Sequence, residues 1–242
     1  MSKQTNWDPY RGRSPRDIPA YNTVDAAHYL WIPENTIRAW AFGRPYPTRT
    51  HGRAWTSPLI EVADPRKHLL SFVNLLEIHV LDAIRRDHRV EMRKIRTAVE
   101  YLRKSFGTPH PLVDEAMETD GKNLFVDKYG SLINVSQHGQ LAMKAMLETH
   151  LKRIERDNRG LAIRLYPFTR KRREPRSPDE PRIIAIDPTV AFGRPVIAGS
   201  GVPTVEIAER FKAGEAPSDL ARDFGRREEE VLEAIRCELE AA

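Results

Sequence analysis

The chain has 242 residues, 40% of them hydrophobic and 30% charged, with one cysteine and a net charge of +5. Two domains, or one with an appendage, fit this length, while a lone Cys237 can close no internal disulfide and build no zinc site. The opening run MSKQTNWDPYRGRSPRD is too polar for a signal peptide and no apolar run nears the ~20 residues of a membrane helix, so a cytoplasmic protein without membrane contact is expected.

The charge is unevenly placed. Residues 1–60 carry 8 Lys and Arg against 4 Asp and Glu, residues 61–182 carry 24 against 18, and residues 183–242 carry 7 against 12. The first two-thirds suit a polyanionic partner and the last quarter does not.

In chain order, residues 1–20 are rich in Pro, Arg and Asp and read as a flexible tail. YNTVDAAHYLWIPENTIRAWAFG predicts two short helices. Thr23 is the expected N-cap of the first, and Val24, Ala27 and Leu30 fall at helical spacing. Pro33 suits the first turn of the second helix, with Ile37 and Trp40 on its buried side. GRPYPTRTHGRAWTSP is too broken by proline for a helix and reads as a loop or hairpin. Helices follow at about 68–86 and 90–105, the latter with Ile95, Ala98, Val99 and Leu102 in one stripe. NLFVDKYGSLINV alternates around Asp127–Gly130 and predicts a β-hairpin. A helix over about 137–157 and a strand, LAIRLY, lead to TRKRREPRSPDEPR, residues 169–182, which reads as a linker. Beyond it come a strand, RIIAID, a helix from Thr204 to Gly214, and a two-helix unit, SDLARDFGRREEEVLEAI.

The expected fold is mainly α with small β elements (α+β). Its expected parts are a tail (1–20), a winged helix-turn-helix domain (21–110), a small α+β segment (111–168), the linker (169–182) and a C-terminal helix-turn-helix dimerisation domain (183–242).

The glycine-rich RPVIAGSGVPT, residues 194–204, invites a nucleotide-binding reading, but it lacks the Lys-Ser/Thr of a phosphate loop and the third glycine of a dinucleotide fingerprint. It reads as a turn. The eight histidines are scattered with no HExxH, and no Ser/His/Asp set can be assembled, so neither enzyme activity nor a metal or cofactor is expected.

Near the C-terminus, Ala221, Gly225 and Val231 have helix-turn-helix spacing. Yet EEEVLEAIRCELE sets six glutamates against Arg236, the wrong charge for a helix beside phosphates. A protein-contact role follows, with Leu220, Phe224, Val231, Leu232 and Ile235 as candidate dimerisation residues. The N-terminal unit has the opposite balance. Its second helix would present Asn35, Thr36 and Arg38 to a major groove, and Arg44, Arg49, His51 and Arg53 would hold phosphates or enter a minor groove. Arg93, Lys94, Arg96, Arg103 and Lys104 form either a second basic surface or a solvated face.

Two stretches carry a resemblance. AIDPTVAFGRPVIAGSGVPTVEIAERFKAGEAPSDLARDFGRREEEVLEAI resembles the antitoxin domain known as domain of unknown function family 433, through Asp187-Pro188, Gly193-Arg194-Pro195, the Ile197–Val202 turn and the helix-turn-helix after Gly214. Ser200 stands where that family commonly has Thr or Lys. TVDAAHYLWIPENTIRAW resembles the winged helix-turn-helix of MerR-like regulators. There Trp31 replaces the usual turn glycine, and a bulky residue at positive φ is costly, so a reshaped turn is expected.

The resemblance to VapB-type antitoxins implies a DNA-binding repressor that neutralises a PIN-like ribonuclease toxin. Its implied partners are operator DNA, that toxin and a second copy, as a homodimer or a higher hetero-oligomer with the toxin. Such antitoxins often insert a basic side chain into the toxin's carboxylate cluster. Candidates are Arg11, Arg13 and Arg16 in the tail, or Arg170, Lys171, Arg172, Arg173 and Arg176 in the linker, which is preferred for lying beside the antitoxin-type domain. A stand-alone dimeric regulator, with 111–168 as a sensor, is the alternative.

Overall fold

The computed structural model describes residues 10, 12–47, 52–85, 92–133, 137–170 and 179–239. The first pair of helices is α1 (Thr23–Leu30) and α2 (Glu34–Phe42). The N-cap of α1 is Asn22 rather than Thr23. Its side chain accepts from the backbone N–H of Val24 and Asp25, each at 2.8 Å, and Asp25 returns the bond to the Asn22 N–H. Such reciprocal capping contributes about 1 kcal/mol. Thr23 instead ties the two helices together, donating to Glu34 Oε1 at 2.7 Å. The turn between them keeps the ordinary left-handed geometry, with Trp31 itself at φ 57°, ψ 40°. A reshaped turn was the expectation. The bulky side chain accepts the strained conformation instead.

Residues 12–20 are not a free tail. A 3-10 turn at Pro15–Asp17 lies against the helix that begins at Phe72, and the Ala20 N–H bonds Leu70 O at 2.9 Å, beside a Tyr21–Leu70 bridge. Helix α3 (Phe72–Arg85) is the axle of the larger core. Leu75, Leu76, Ile78, Leu81 and Ile84 are all buried, and so are its polar residues Asn74, Glu77, His79 and Asp82. Around it stand α4 (Met92–Phe106), α5 (Gly121–Ile133) and α6 (Gln137–Leu151). Helix α5 replaces the hairpin expected at 123–135. Phe125 and Tyr129 sit one helical turn apart with stacked rings, centroids 5.9 Å apart, and both are fully buried. Gly130 lies inside the helix because a Cβ there would meet the Gln140 side chain of α6 at 2.8 Å.

His79 and His150 share this interior with ring centroids 4.9 Å apart. Desolvation, and then the neighbouring His150, push His79 well below the ordinary histidine range. The unfolded chain therefore binds a proton that the folded one refuses, so stability falls as pH drops below about 6.5, by up to about 1.4 kcal/mol per pH unit. Urea midpoints at pH 7.5 and pH 5 are expected to separate in the native chain and to converge in His79→Gln. An equal acid shift in the variant would assign the effect to other groups.

A four-stranded antiparallel sheet follows in the order β3 (Ile154–Arg156), β4 (Ala162–Leu165), β5 (Ile184–Ile186) and β6 (Pro195–Ile197). Leu165 pairs with Ile186, so the sheet joins the two sides of the segment read as a linker. Arg153, fully buried, fixes both ends of that segment. Its guanidinium donates to the carbonyls of Tyr166 (2.7 Å) and Pro167 (3.1 Å) on one side, and of Glu180 (2.6 Å) and Pro181 (3.0 Å) on the other.

The smaller core gathers Ile184 and Ile197 with α7 (Thr204–Lys212), α8 (Pro217–Phe224) and α9 (Glu228–Leu239). The glycine-rich stretch is a tight turn between β6 and α7. Gly199 and Gly201 have φ of 73° and 72°, and the Ser200 hydroxyl donates to Ile197 O at 2.7 Å.

The two cores meet through α9. Glu238 lies 2.9 Å from His28 of α1 and accepts from Thr204 at 2.5 Å. Glu233, 3% exposed, accepts from Thr169 and from Arg236. Among the described residues no helix is long and apolar enough to cross a membrane.

Candidate nucleic-acid interface

Helix α2 carries Ile37, Trp40 and Ala41 inward and leaves Asn35 and Arg38 exposed, as its 3.6-residue period requires. Gly43 then turns the chain at φ 78°, where a Cβ would stand 2.1 Å from Thr56 O. That glycine lets β1 (Arg44–Pro47) pair closely with β2 (Arg53–Thr56) in an antiparallel wing. The returning chain is fastened to the helices at two points. Leu59 N–H donates to Trp40 O at 2.7 Å, and Arg96 Nη2 of α4 donates to Ser57 O at 2.6 Å.

Between α2, the wing and the start of α4 lies an open cleft of about 950 Å³. Asn35, Thr36 and Arg44 line it together with Arg93 and Arg96, and among the described residues no carboxylate joins the lining. Arg44 and Arg93 are exposed and form no ion pair among the described residues. Trp55 of the wing is 62% exposed at the same cleft. A positive concavity with a flat aromatic at its edge can hold a phosphate backbone and stack on sugar or base.

The sequence-derived residues are divided by the structure. Asn35, Thr36 and Arg44 converge on the cleft. Arg38 lies aside, 3.4 Å from Glu34 Oε1, and the Thr23 hydroxyl and then Arg38 hold that carboxyl below its usual range. Arg53 begins β2, opposite Pro47, and does not line the cleft. Arg49 and His51 lie outside the described residues. Arg93 and Arg96 are gained: the sequence left them between a basic surface and a solvated face, and only the fold sets them beside α2.

The proposed dimer contacts fare differently. Leu220, Val231 and Ile235 are buried in the smaller core of their own chain, because two crossing helices must cover these positions before any second copy arrives. Phe224 is half-buried under the Arg210 guanidinium, 5.2 Å from its ring centroid, and Leu232 alone of the five is exposed, at 43%. Part of the acidity of α9 is also internal, since Glu233 and Glu238 bind Thr169, Arg236, His28 and Thr204. Of the toxin-binding candidates, Arg170 lies 3.8 Å from Glu233, whereas Lys171, Arg172, Arg173 and Arg176 lie outside the described residues. In the tail, Arg16 belongs to the ordered 3-10 turn, Arg13 precedes it, and Arg11 lies outside the described residues.

Fold and cleft together define a chain with a helix-turn-helix unit near each end and, beside the N-terminal one, a cleft lined by arginines. Residues 19–99 match the family described as "Putative DNA-binding HTH domain", and residues 184–236 match "Protein of unknown function (DUF433)". Along nearly its whole length the chain is similar to "Putative antitoxin VapB45" of Mycobacterium tuberculosis, at 28% identity over 90% of this chain and 93% of that one. "Uncharacterized protein Rv2308" of the same organism is 23% identical over 91% of this chain and 89% of its own. A crystal structure of Rv2018 from M. tuberculosis shares the fold, with a TM-score of 0.62 at 23% identity, covering 90% of this chain and 98% of that one.

Proposed function

We propose that this protein is the antitoxin of a type II toxin–antitoxin pair, a non-enzymatic repressor that neutralises a PIN-like ribonuclease and binds its own operator. The observation that carries the DNA-binding half is the cleft between α2, the wing and α4, whose lining among the described residues has three arginines and no carboxylate. The toxin-binding half is supported by similarity over nine-tenths of the chain to a protein named as an antitoxin, and by the C-terminal module with its −5 balance over residues 183–242. A ribonuclease toxin is assigned from the family resemblance of that module. Two copies on a palindrome would multiply the few base contacts that one module makes. With Leu220, Val231 and Ile235 inside the fold, such a dimer would use Leu232 and surfaces outside the small core.

The experiment is co-expression with the product of the gene sharing its operon, followed by a ribonuclease assay and a salt-dependent operator shift. Co-purification with loss of ribonuclease activity is the expected result. Operator binding without any complex would leave a stand-alone regulator.

A further inference from the structure

Residues 190–194 combine two features that do nothing for the stability of the chain. The first is backbone conformation: Ala191, Phe192 and Gly193 are all left-handed, at φ 47°, 56° and 78°, and only the last is a glycine. L-residues avoid this region, and consecutive ones are rarer still. The second is exposure. The ring held on that strained turn, Phe192, is 82% exposed.

The turn is also braced against relaxing. Asp187 accepts from the Thr189 N–H (2.9 Å) and hydroxyl (2.6 Å), and is itself held by Arg164 at 3.1 Å. On the far side, the Tyr21 hydroxyl donates to Gly193 O at 3.1 Å and stands where a Cβ on Gly193 would be, only 2.0 Å away. A strained turn locked between two modules and tipped with an aromatic ring is preorganised for a partner. Two residues on, Arg194 is exposed and forms no ion pair among the described residues. An aromatic ring and an arginine on one rigid turn have the composition of an interface anchor.

The chemistry favours a different protein over a second copy. A bare phenyl ring needs an apolar socket, and three clefts among the described residues of this chain carry charges instead. The cleft at α2 and the wing has its arginines, one between α5 and α6 has Asp127 and Lys144, and one beside the 3-10 turn has Arg16, Asp114, Arg156 and Arg159.

We infer that the 190–194 turn anchors the protein toxin, with Phe192 filling an apolar pocket on the toxin and Arg194 pairing with a carboxylate at its rim. This rests on the antitoxin reading above and names the surface that serves it.

The test is calorimetric titration of the full chain with the purified product of the gene sharing its operon. Phe192→Ala is expected to weaken the complex at least ~30-fold, and Arg194→Glu about tenfold or more, with thermal midpoint and operator binding unchanged. If Phe192→Ala lowered the thermal midpoint as well, Arg194→Glu would decide alone. Native affinity in both variants overturns the anchor and leaves the antitoxin reading standing. Failure of the unmodified chain to bind that product overturns both. A fall in self-association by light scattering with unchanged toxin affinity overturns the anchor in favour of a contact between copies.

Discussion

Replacing Arg44 and Arg93 together by alanine is expected to lower operator affinity about tenfold or more at 0.15 M salt and to reduce the log–log salt slope by about 2. Both side chains are exposed and line a cleft where, among the described residues, they have no ion-pair partner and no carboxylate competes with phosphate. Each should therefore displace close to one counterion. Arg96 is left in place because it holds Ser57 O, and its loss would disturb the wing as well as the charge. Arg38→Ala is the informative contrast. It lies aside from the cleft and beside Glu34, so its loss should change affinity and salt slope much less than the double replacement. An unaltered slope in the Arg44/Arg93 variant would remove the cleft from DNA binding.

The largest effect on stability is expected at Arg153. Its guanidinium is fully buried and donates to four carbonyls that lie 13 to 28 residues further along the chain. Burial lowers its pKa to about 10, which still leaves it charged at neutral pH. Hydrogen bonds from a charged donor contribute about 1.5–3 kcal/mol each, and some carbonyls would regain water if the segment opened, so Arg153→Leu should cost on the order of 4 kcal/mol. Urea unfolding would measure the loss, and hydrogen exchange should rise first where β4 meets β5, at Leu165 and Ile186. A cost below about 1 kcal/mol would mean that the strands hold the segment without the clamp.

Local signals were legible in the sequence where local physics decided the outcome. The α1–α2 unit, the hairpin wing, the glycine turn before α7 and the α8–α9 unit all follow from periodicity and turn chemistry. The misreadings share a cause, which is a contact made far away. Gly130 looked like a turn residue and is instead the gap into which Gln140 packs. Arg153, which draws together the two ends flanking the run read as a linker, is likewise announced by nothing local. Leu220, Val231 and Ile235 looked like an interface and are an interior, since an apolar stripe does not say whether its cover is the same chain or another. The cleft was half legible: α2 and the wing are contiguous in sequence, whereas Arg93 and Arg96 reach it only through the packing of α4.

The contact between His28 and Glu238 spans 210 residues. At about 5–20 residues per second of synthesis, α1 leaves the ribosome roughly 10–40 s before the carboxylate that will cover it. The helices up to α6 can gather most of the larger core in that interval, with the flank facing α9 still open to solvent and to other nascent chains. Closing that flank is therefore a late event in the life of each molecule. Until it happens, the newborn chain has the arginine-lined cleft without the contact between α1 and α9.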